Sequence, residues 1–313
     1  MRVEQRGASE VTSPDSKTLL AFGGAVIIGG INFLAVKLSN EELAPLFGAT
    51  IRFAASALLL FVIAFARRIP LPKGRAAWGA ALYGLLGFGL AYGLLYFALV
   101  GLGPGTVSVV MAAVPLVTLI LAVAHRQERF SVRGVVGGLL AIAGIALLST
   151  NSASSEVRPI YFLTALLAVV AVAESSVVIK GFPRAEPITT NAVGMAVGTV
   201  FLMFVSLVRG EPWVVPQAAQ TWVVLVWLAV FGSIGLFILF LYVIARWTAS
   251  ASVYALTLMP VIAVTLGAVF ADEAISLELL GGGLLVLVAV YVGALSGSRS
   301  AVPPKALGAE SDL

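Results

Sequence analysis

The stretch VPLVTLILAVAHRQERFS, Val114–Ser131, returns 145 residues further on as MPVIAVTLGAVFADEAIS, Met259–Ser276. Pro115 falls on Pro260, Leu121 on Leu266, Glu128 on Glu273 and Ser131 on Ser276, with no gap. At the same shift Gly137-Gly138-Leu139-Leu140 falls on Gly282-Gly283-Leu284-Leu285, and the match extends over Gly103–Leu148 and Thr248–Gly293. Leucine and glycine matches come cheaply in an apolar chain. A proline, a glutamate and a serine held in one register do not. Each copy reads as an apolar helix with a proline near its middle, a loop with a glutamate, and a glycine-rich apolar helix.

The composition around the two copies sets the class. Of 313 residues, 60% are hydrophobic and 11% charged, where a soluble domain carries about a quarter charged residues. A membrane-embedded chain fits. One histidine and no cysteine argue against a disulfide framework, a cysteine metal site or a thiol nucleophile. The small positive net charge is no nucleic-acid footprint. Residues 1–17 and 297–313 are polar or Pro-containing and read as flexible tails. The first apolar run is too long for a signal-peptide core and lacks a small-x-small cleavage site.

A helix needs about 20 apolar residues to cross a hydrocarbon core. Ten stretches qualify: 18–37, 44–66, 76–101, 104–124, 131–150, 159–181, 187–208, 220–244, 248–271 and 276–296. No barrel-type alternation appears, so the expected fold is all-α integral membrane. With the N-terminus in the cytoplasm, the inner segments hold fifteen Lys and Arg residues, and the outer ones hold Lys37, Arg158 and Arg209. That bias places both termini inside. The organisation is then a tail (1–17), a five-helix repeat (18–150), an outer linker (151–158), a second five-helix repeat (159–296) and a tail (297–313). Five is odd, so the second copy enters the membrane from the opposite side. Inverted repeats around a midplane site are the architecture of secondary transporters.

The ten spans, the 5+5 repeat, APLFGATIRF (Ala44–Phe53) and the paired stretches quoted first resemble the EamA-type family of drug/metabolite transporters, over about residues 18–296. The resemblance implies a ten-helix exporter of small metabolites, often amino acids or their relatives. It also implies a central cavity lined by the first, third, fourth, sixth, eighth and ninth spans, with the fifth and tenth peripheral. The chain carries Ala171 and Ala173 where many relatives have a tryptophan nearby, and Glu174 is not a general family feature.

Glu174 stands past the middle of the sixth span, in VVAVAESSVVIKGFP (Val169–Pro183). A charge there costs roughly 2.5–3.5 kcal/mol on insertion scales, so it faces a wet cavity or a partner, or is protonated. It is read as a proton site or a ligand for a substrate ammonium group, with Ser175 adding polarity beside it; the bland reading is a structural pair with a cation on another helix. Arg52 can hold a carboxylate in a fork, snorkel, or fasten carbonyls. The family keeps an arginine here across unlike substrates, which favours the structural role. Lys37 reads as snorkelling. Asn32 either glues helices or lines a pathway. Tyr92 and Tyr96 share a face of the third span, and Tyr242 and Tyr254 flank the turn at Arg246; each reads as packing or as cavity lining. Pro115 and Pro260 each free a carbonyl one turn earlier and make matched hinge candidates, with Met111 and Met259 as adaptable cavity walls. The glycines at 134, 137, 138 and 281–283 suit packing of the fifth and tenth spans or a homodimer face.

No catalytic constellation, metal-spaced cluster or nucleotide-binding motif is visible, so neither an enzyme nor a cofactor is expected. The expected function is a secondary transporter exporting a small metabolite, most simply an amino acid or related compound, across a bacterial-type inner membrane by alternating access. The partners are then a small-molecule substrate and the bilayer. The rivals are a lipophilic-drug or lipid-carrier translocator, an intramembrane enzyme, and a membrane scaffold.

Overall fold

The computed structural model describes residues 14–101, 107, 110–148, 159–259, 261–262 and 277–295. Among them every regular element is a helix. The first half holds α1 (Ser16–Ser39), α2 (Pro45–Ala66), α3 (Arg75–Tyr83), a π-helical segment π1 (Gly84–Leu90), α4 (Ala91–Gly101), α5 (Val114–Ala124) and α6 (Val132–Leu148). The second holds α7 (Pro159–Gly181), α8 (Pro187–Val208), α9 (Ala219–Ala229), π2 (Val230–Gly235), α10 (Leu236–Arg246), α11 (Ala249–Ser252), α12 (Leu277–Val290) and π3 (Tyr291–Leu295). Among the described residues five helices are long and apolar enough to cross a membrane: Pro45–Ala66, Arg75–Ala98, Pro159–Gly181, Pro187–Val208 and Ala219–Arg246. Shorter apolar helices cover Ser16–Asn32, Val114–Ala124, Val132–Leu147, Ala249–Met259 and Gly281–Gly293. Their outward faces expose large apolar side chains such as Leu58, Phe65, Phe204, Val208 and Leu284, a surface suited to hydrocarbon and costly in water.

Helices expected to be uniform are interrupted. α3 passes through π1 into α4, and α9 passes through π2 into α10. Gly87 and Leu90 of π1 lie 145 residues before Gly232 and Gly235 of π2, the register that relates Pro115 to Pro260. A second departure falls at Pro115. In place of a kink within a continuous helix, α5 starts there, with Pro115 in its first turn after a turn at Ala112-Ala113. A first-turn position leaves its N–H unused, so proline is at home in it. Pro260 lies outside the described residues.

Glycines set the closest helix approaches. A Cβ on Gly84 would stand 2.1 Å from the carbonyl oxygen of Gly194, and one on Gly198 would stand 2.4 Å from Cβ of Phe88. These glycines let α8 lie against π1, and α2 also runs along α8. On α6 and the α12–π3 stretch, Gly137 faces Gly293 (2.6 Å from a Cβ to its Cα) and Gly144 faces Gly282 (2.9 Å to its oxygen). Gly137, Gly144, Gly282 and Gly293 thus pack the fifth span against the tenth within one chain. Phe88 centres the aromatic core, with ring centroids of Phe53, Tyr83 and Phe237 at 5.1, 5.2 and 4.6 Å.

The two ends of the bundle are laced by glutamates that cap helices of the opposite half. At one end, Glu211 accepts from the backbone N–H of Phe47 (2.9 Å) and Leu46 (3.3 Å) at the start of α2. Glu42 accepts from the Thr221 hydroxyl (2.6 Å) and from the N–H groups of Gln217 and Ala218 at the start of α9. At the other end, Glu128 accepts from the N–H (3.1 Å) and hydroxyl of Ser250 in α11. Each carboxylate meets orphan donors and the positive pole of a helix. The same end is tied by Gln127 donating to the Val177 carbonyl (2.9 Å) and by Lys180 donating to the carbonyls of Ile244 and Trp247.

The cap at Glu42 carries a pH prediction. Hydrogen bonds, first from the Thr221 side chain and then from the Gln217 backbone, hold its carboxyl below the ordinary glutamate value of 4.5. A lowered folded pKa means its stabilisation is present above that value and is lost as pH falls through the folded one. The gap in thermal midpoint between wild type and Glu42→Gln should close below about pH 4.5, as read by melting curves across an acid series.

Candidate functional site

Polar groups from α1, α2 and α4 converge on π2. The widened turn leaves carbonyls without their usual partner, and that of Gly232 accepts from Arg52 (Nη2, 2.7 Å) and from Asn32 (Nδ2, 2.9 Å). Arg52 Nε donates to Ser233 Oγ at 2.7 Å. One turn on, the Ser56 hydroxyl is bonded to the carbonyls of Arg52 (2.7 Å) and Ala229 (3.1 Å). The guanidinium lies 5.1 Å from the Phe53 ring and 5.6 Å from that of Tyr92, and it meets the Tyr96 hydroxyl. Arg52 is buried and fastens the Gly232 carbonyl; it does not snorkel. Asn32 Oδ1 is buried without a partner among the described residues, a spare acceptor in the knot.

Glu174 sits at the opposite end, on α7. Its Oε1 is 3.2 Å from Nε2 of His125, which follows the last turn of α5. The side chains are 24% and 43% exposed, so the pair is not sealed in the protein core. It joins the two halves of the chain, the end of α5 in the first to α7 in the second. Ser175 points elsewhere: it is buried, donates to the Val172 carbonyl (2.8 Å) and lies against Gly87 of π1. Glu174 and Ser175 therefore do not form one site.

The remaining residues are distributed as follows. Tyr92 stands edge-on to Phe53 at 4.9 Å, and Tyr96 is buried beside it. Tyr254 departs from cavity lining: its hydroxyl donates to the Gly134 carbonyl (3.3 Å) and its ring covers Gly137 and Gly293, joining its helix to the α6–π3 pair. Tyr242 lies under the Arg246 guanidinium, 3.6 Å from ring to Cζ. Met259 is buried where a Cβ on Gly29 would come (2.3 Å), and Met111 joins the cluster around Val110 and Val114. The side chain of Lys37 lies outside the described residues. A cavity of about 400 Å³ opens between α2, α4 and α8 at the Glu211 end, with Tyr96 in its wall. It lies to one side of the centre implied by the family resemblance.

Sequence reading missed His125, Gly232 and Ser233. The signal for His125 was its being the one histidine in the chain, at a span end and so at the depth of Glu174. Nothing local pointed to Gly232, whose partners lie 180 and 200 residues away.

Long apolar helices with outward apolar faces and polar groups gathered at breaks inside them make this a multi-pass membrane protein. The chain belongs to the EamA-like transporter family, whose model matches residues 16–150 and again 159–294. It is 28% identical over 286 residues to the uncharacterized inner membrane transporter YedA of Escherichia coli K12, covering 88% of this chain and 92% of that one. It is also 28% identical over 284 residues to the uncharacterized transporter YvbV of Bacillus subtilis, covering 88% and 91%. The chloroplastic WAT1-related protein At3g02690 of Arabidopsis thaliana is 25% identical, over 84% of this chain and 66% of its own length. A solved crystal structure superposes with a TM-score of 0.76 at 21% identity, over 90% of this chain and 98% of its own, a likeness of fold.

Proposed function

We propose that the chain is a secondary transporter that exports a small metabolite, an amino acid or related compound, across a bacterial-type inner membrane by alternating access of two inverted halves. The observation that carries this reading is the pair of π segments in one register, 145 residues apart. π segments interrupt the hydrogen-bond ladder and cluster at functional sites. Equivalent breaks in two oppositely directed copies allow each half to take the shape of the other. The cytoplasmic side is the His125 end: Arg67, Arg68, Arg126, Arg129, Arg184 and Arg246 belong to its loops and helix ends, as the positive-inside rule expects. The direction of flux and the amino acid cargo rest on the family resemblance.

Glu174 and His125 form the proton-linked latch of that end. The pair attracts most strongly with the carboxylate ionised and the imidazole charged. A proton added to Glu174, or one removed from His125, ends the ionic attraction. Glu128 and Lys180 nearby are engaged with Ser250 and with the carbonyls of Ile244 and Trp247, so they hold the end together whatever the latch does.

The test is flux in proteoliposomes with a panel of labelled amino acids, with and without a pH gradient, comparing wild type with Glu174→Gln and His125→Gln. One substrate should move. A gradient should speed wild type by up to about tenfold per pH unit and leave both variants at the ungraded rate. Equal flux in all three proteins reduces Glu174 to a solvating residue. If nothing in the panel moves, the amino acid assignment fails.

A further inference from the structure

The cavity between α2, α4 and α8 is amphipathic. Its walls are Leu46, Leu90, Leu94, Phe97, Phe201 and Val205, and Tyr96 lines it next to Arg52. The cation at its rim is Arg209, exposed, with its guanidinium 4.8 Å from the Phe97 ring centroid. Among the described residues Arg209 has no ion-pair partner. Glu211 lines the same cavity, but its oxygens are taken by the N–H groups of Leu46 and Phe47 and by the Ser206 hydroxyl (2.8 Å). A guanidinium seated on a ring keeps its N–H edge free for a phosphate fork.

The rim lies at the membrane boundary. Trp213 stacks on Phe47 at 5.0 Å and donates to Ser206 Oγ at 3.1 Å, and Trp222 donates to the Pro216 carbonyl at 3.1 Å. Tryptophans with an apolar body and a bonded N–H mark the headgroup level. Below them the exposed Phe204, Leu207 and Val208 of α8 lead up to Arg209. An apolar cleft with one unpaired cation at headgroup height is complementary to an anionic amphiphile.

We infer that this cavity binds one anionic phospholipid from the leaflet at the Glu211 end. An acyl chain lies among Leu90, Leu94, Phe97 and Phe201, and the phosphate rests on Arg209. The inference does not depend on the cargo proposed above. Its test reads binding alone, so its failure and that of the transport reading are distinguishable.

Two substitutions divide the site. Arg209→Gln removes the phosphate partner from an exposed position. Gly93→Leu fills the cavity: a Cβ on Gly93 would meet nothing closer than 3.8 Å, so the backbone tolerates a side chain there. The full-length protein is purified in detergent with phosphatidylglycerol and phosphatidylcholine in equal amounts, and retained lipid is read by native mass spectrometry. Wild type should keep phosphatidylglycerol over phosphatidylcholine by about fivefold. Arg209→Gln should erase the preference, and Gly93→Leu should release both lipids with its circular dichroism unchanged. Should Gly93→Leu not fold, the Arg209→Gln comparison decides. Equal retention of the two lipids by wild type overturns the inference, as does a preference that survives Arg209→Gln. Displacement by glycerol 3-phosphate, which has the headgroup charge and no chain, assigns the site to a soluble anion and also overturns it.

Discussion

Arg52→Met is expected to destabilise the protein by about 2–4 kcal/mol, the sum of two charge-assisted buried hydrogen bonds at 1.5–3 each, discounted for the weaker values found inside membranes. The bonds counted are those to Gly232 and Ser233, and the contact with the Tyr96 hydroxyl goes with them. Methionine restores the volume and not the donors, so Ser233 loses its partner and the Gly232 carbonyl keeps Asn32 alone. Arg52→Lys should recover only part of the loss, because a single ammonium cannot reproduce the fork that spans a carbonyl and a hydroxyl. Unfolding midpoints in mild detergent read the order wild type, lysine, methionine. If methionine leaves the midpoint unchanged while abolishing flux, Arg52 faces cargo instead of fastening π2, and the structural reading of this residue is wrong.

Gly84→Ala is expected to be at least as damaging, at about 3 kcal/mol, the upper range for overpacking. The new methyl would stand 2.1 Å from the Gly194 carbonyl oxygen and 2.4 Å from its Cα. Both are backbone atoms, so no rotamer relieves the clash and α8 must separate from π1. Gly23→Ala is the control, since nothing lies within 4 Å of its Cβ; a helix-interior glycine replaced by alanine gains up to about 1 kcal/mol. Folded yield and melting point should fall for the first and hold or rise for the second. Parallel behaviour of the two variants would mean that α8 and π1 do not meet as described.

Much of the fold was legible because hydrocarbon imposes a local rule. A chain crossing it must satisfy its own backbone hydrogen bonds, so a long apolar run is a helix whatever its neighbours are. The stretches ending at Ala66, Gly181 and Val208 appear as helices with those limits. The register between Pro115 and Pro260 is read from the sequence alone, since a repeat is a comparison of the sequence with itself. Arg52 read as a fastener of carbonyls, and it holds that of Gly232.

Other features had no local signature. GLLGFGL and VFGSIG read as glycine-containing helix. They widen into π turns where a neighbouring helix presses close, at Gly198 on one side and Arg52 on the other. Tyr254 read as packing or as cavity lining, and only the tertiary structure shows it filling the gap over Gly293. Glu174 announced that it needed a partner, and its depth in the helix said why. That the partner is His125, from another helix and the other half of the chain, is a consequence of how the helices pack. Apolar faces drive the chain into oil with little preference among neighbours, and the choice of neighbour falls to glycine contacts and to polar groups whose sequence separation leaves no trace in spacing or composition.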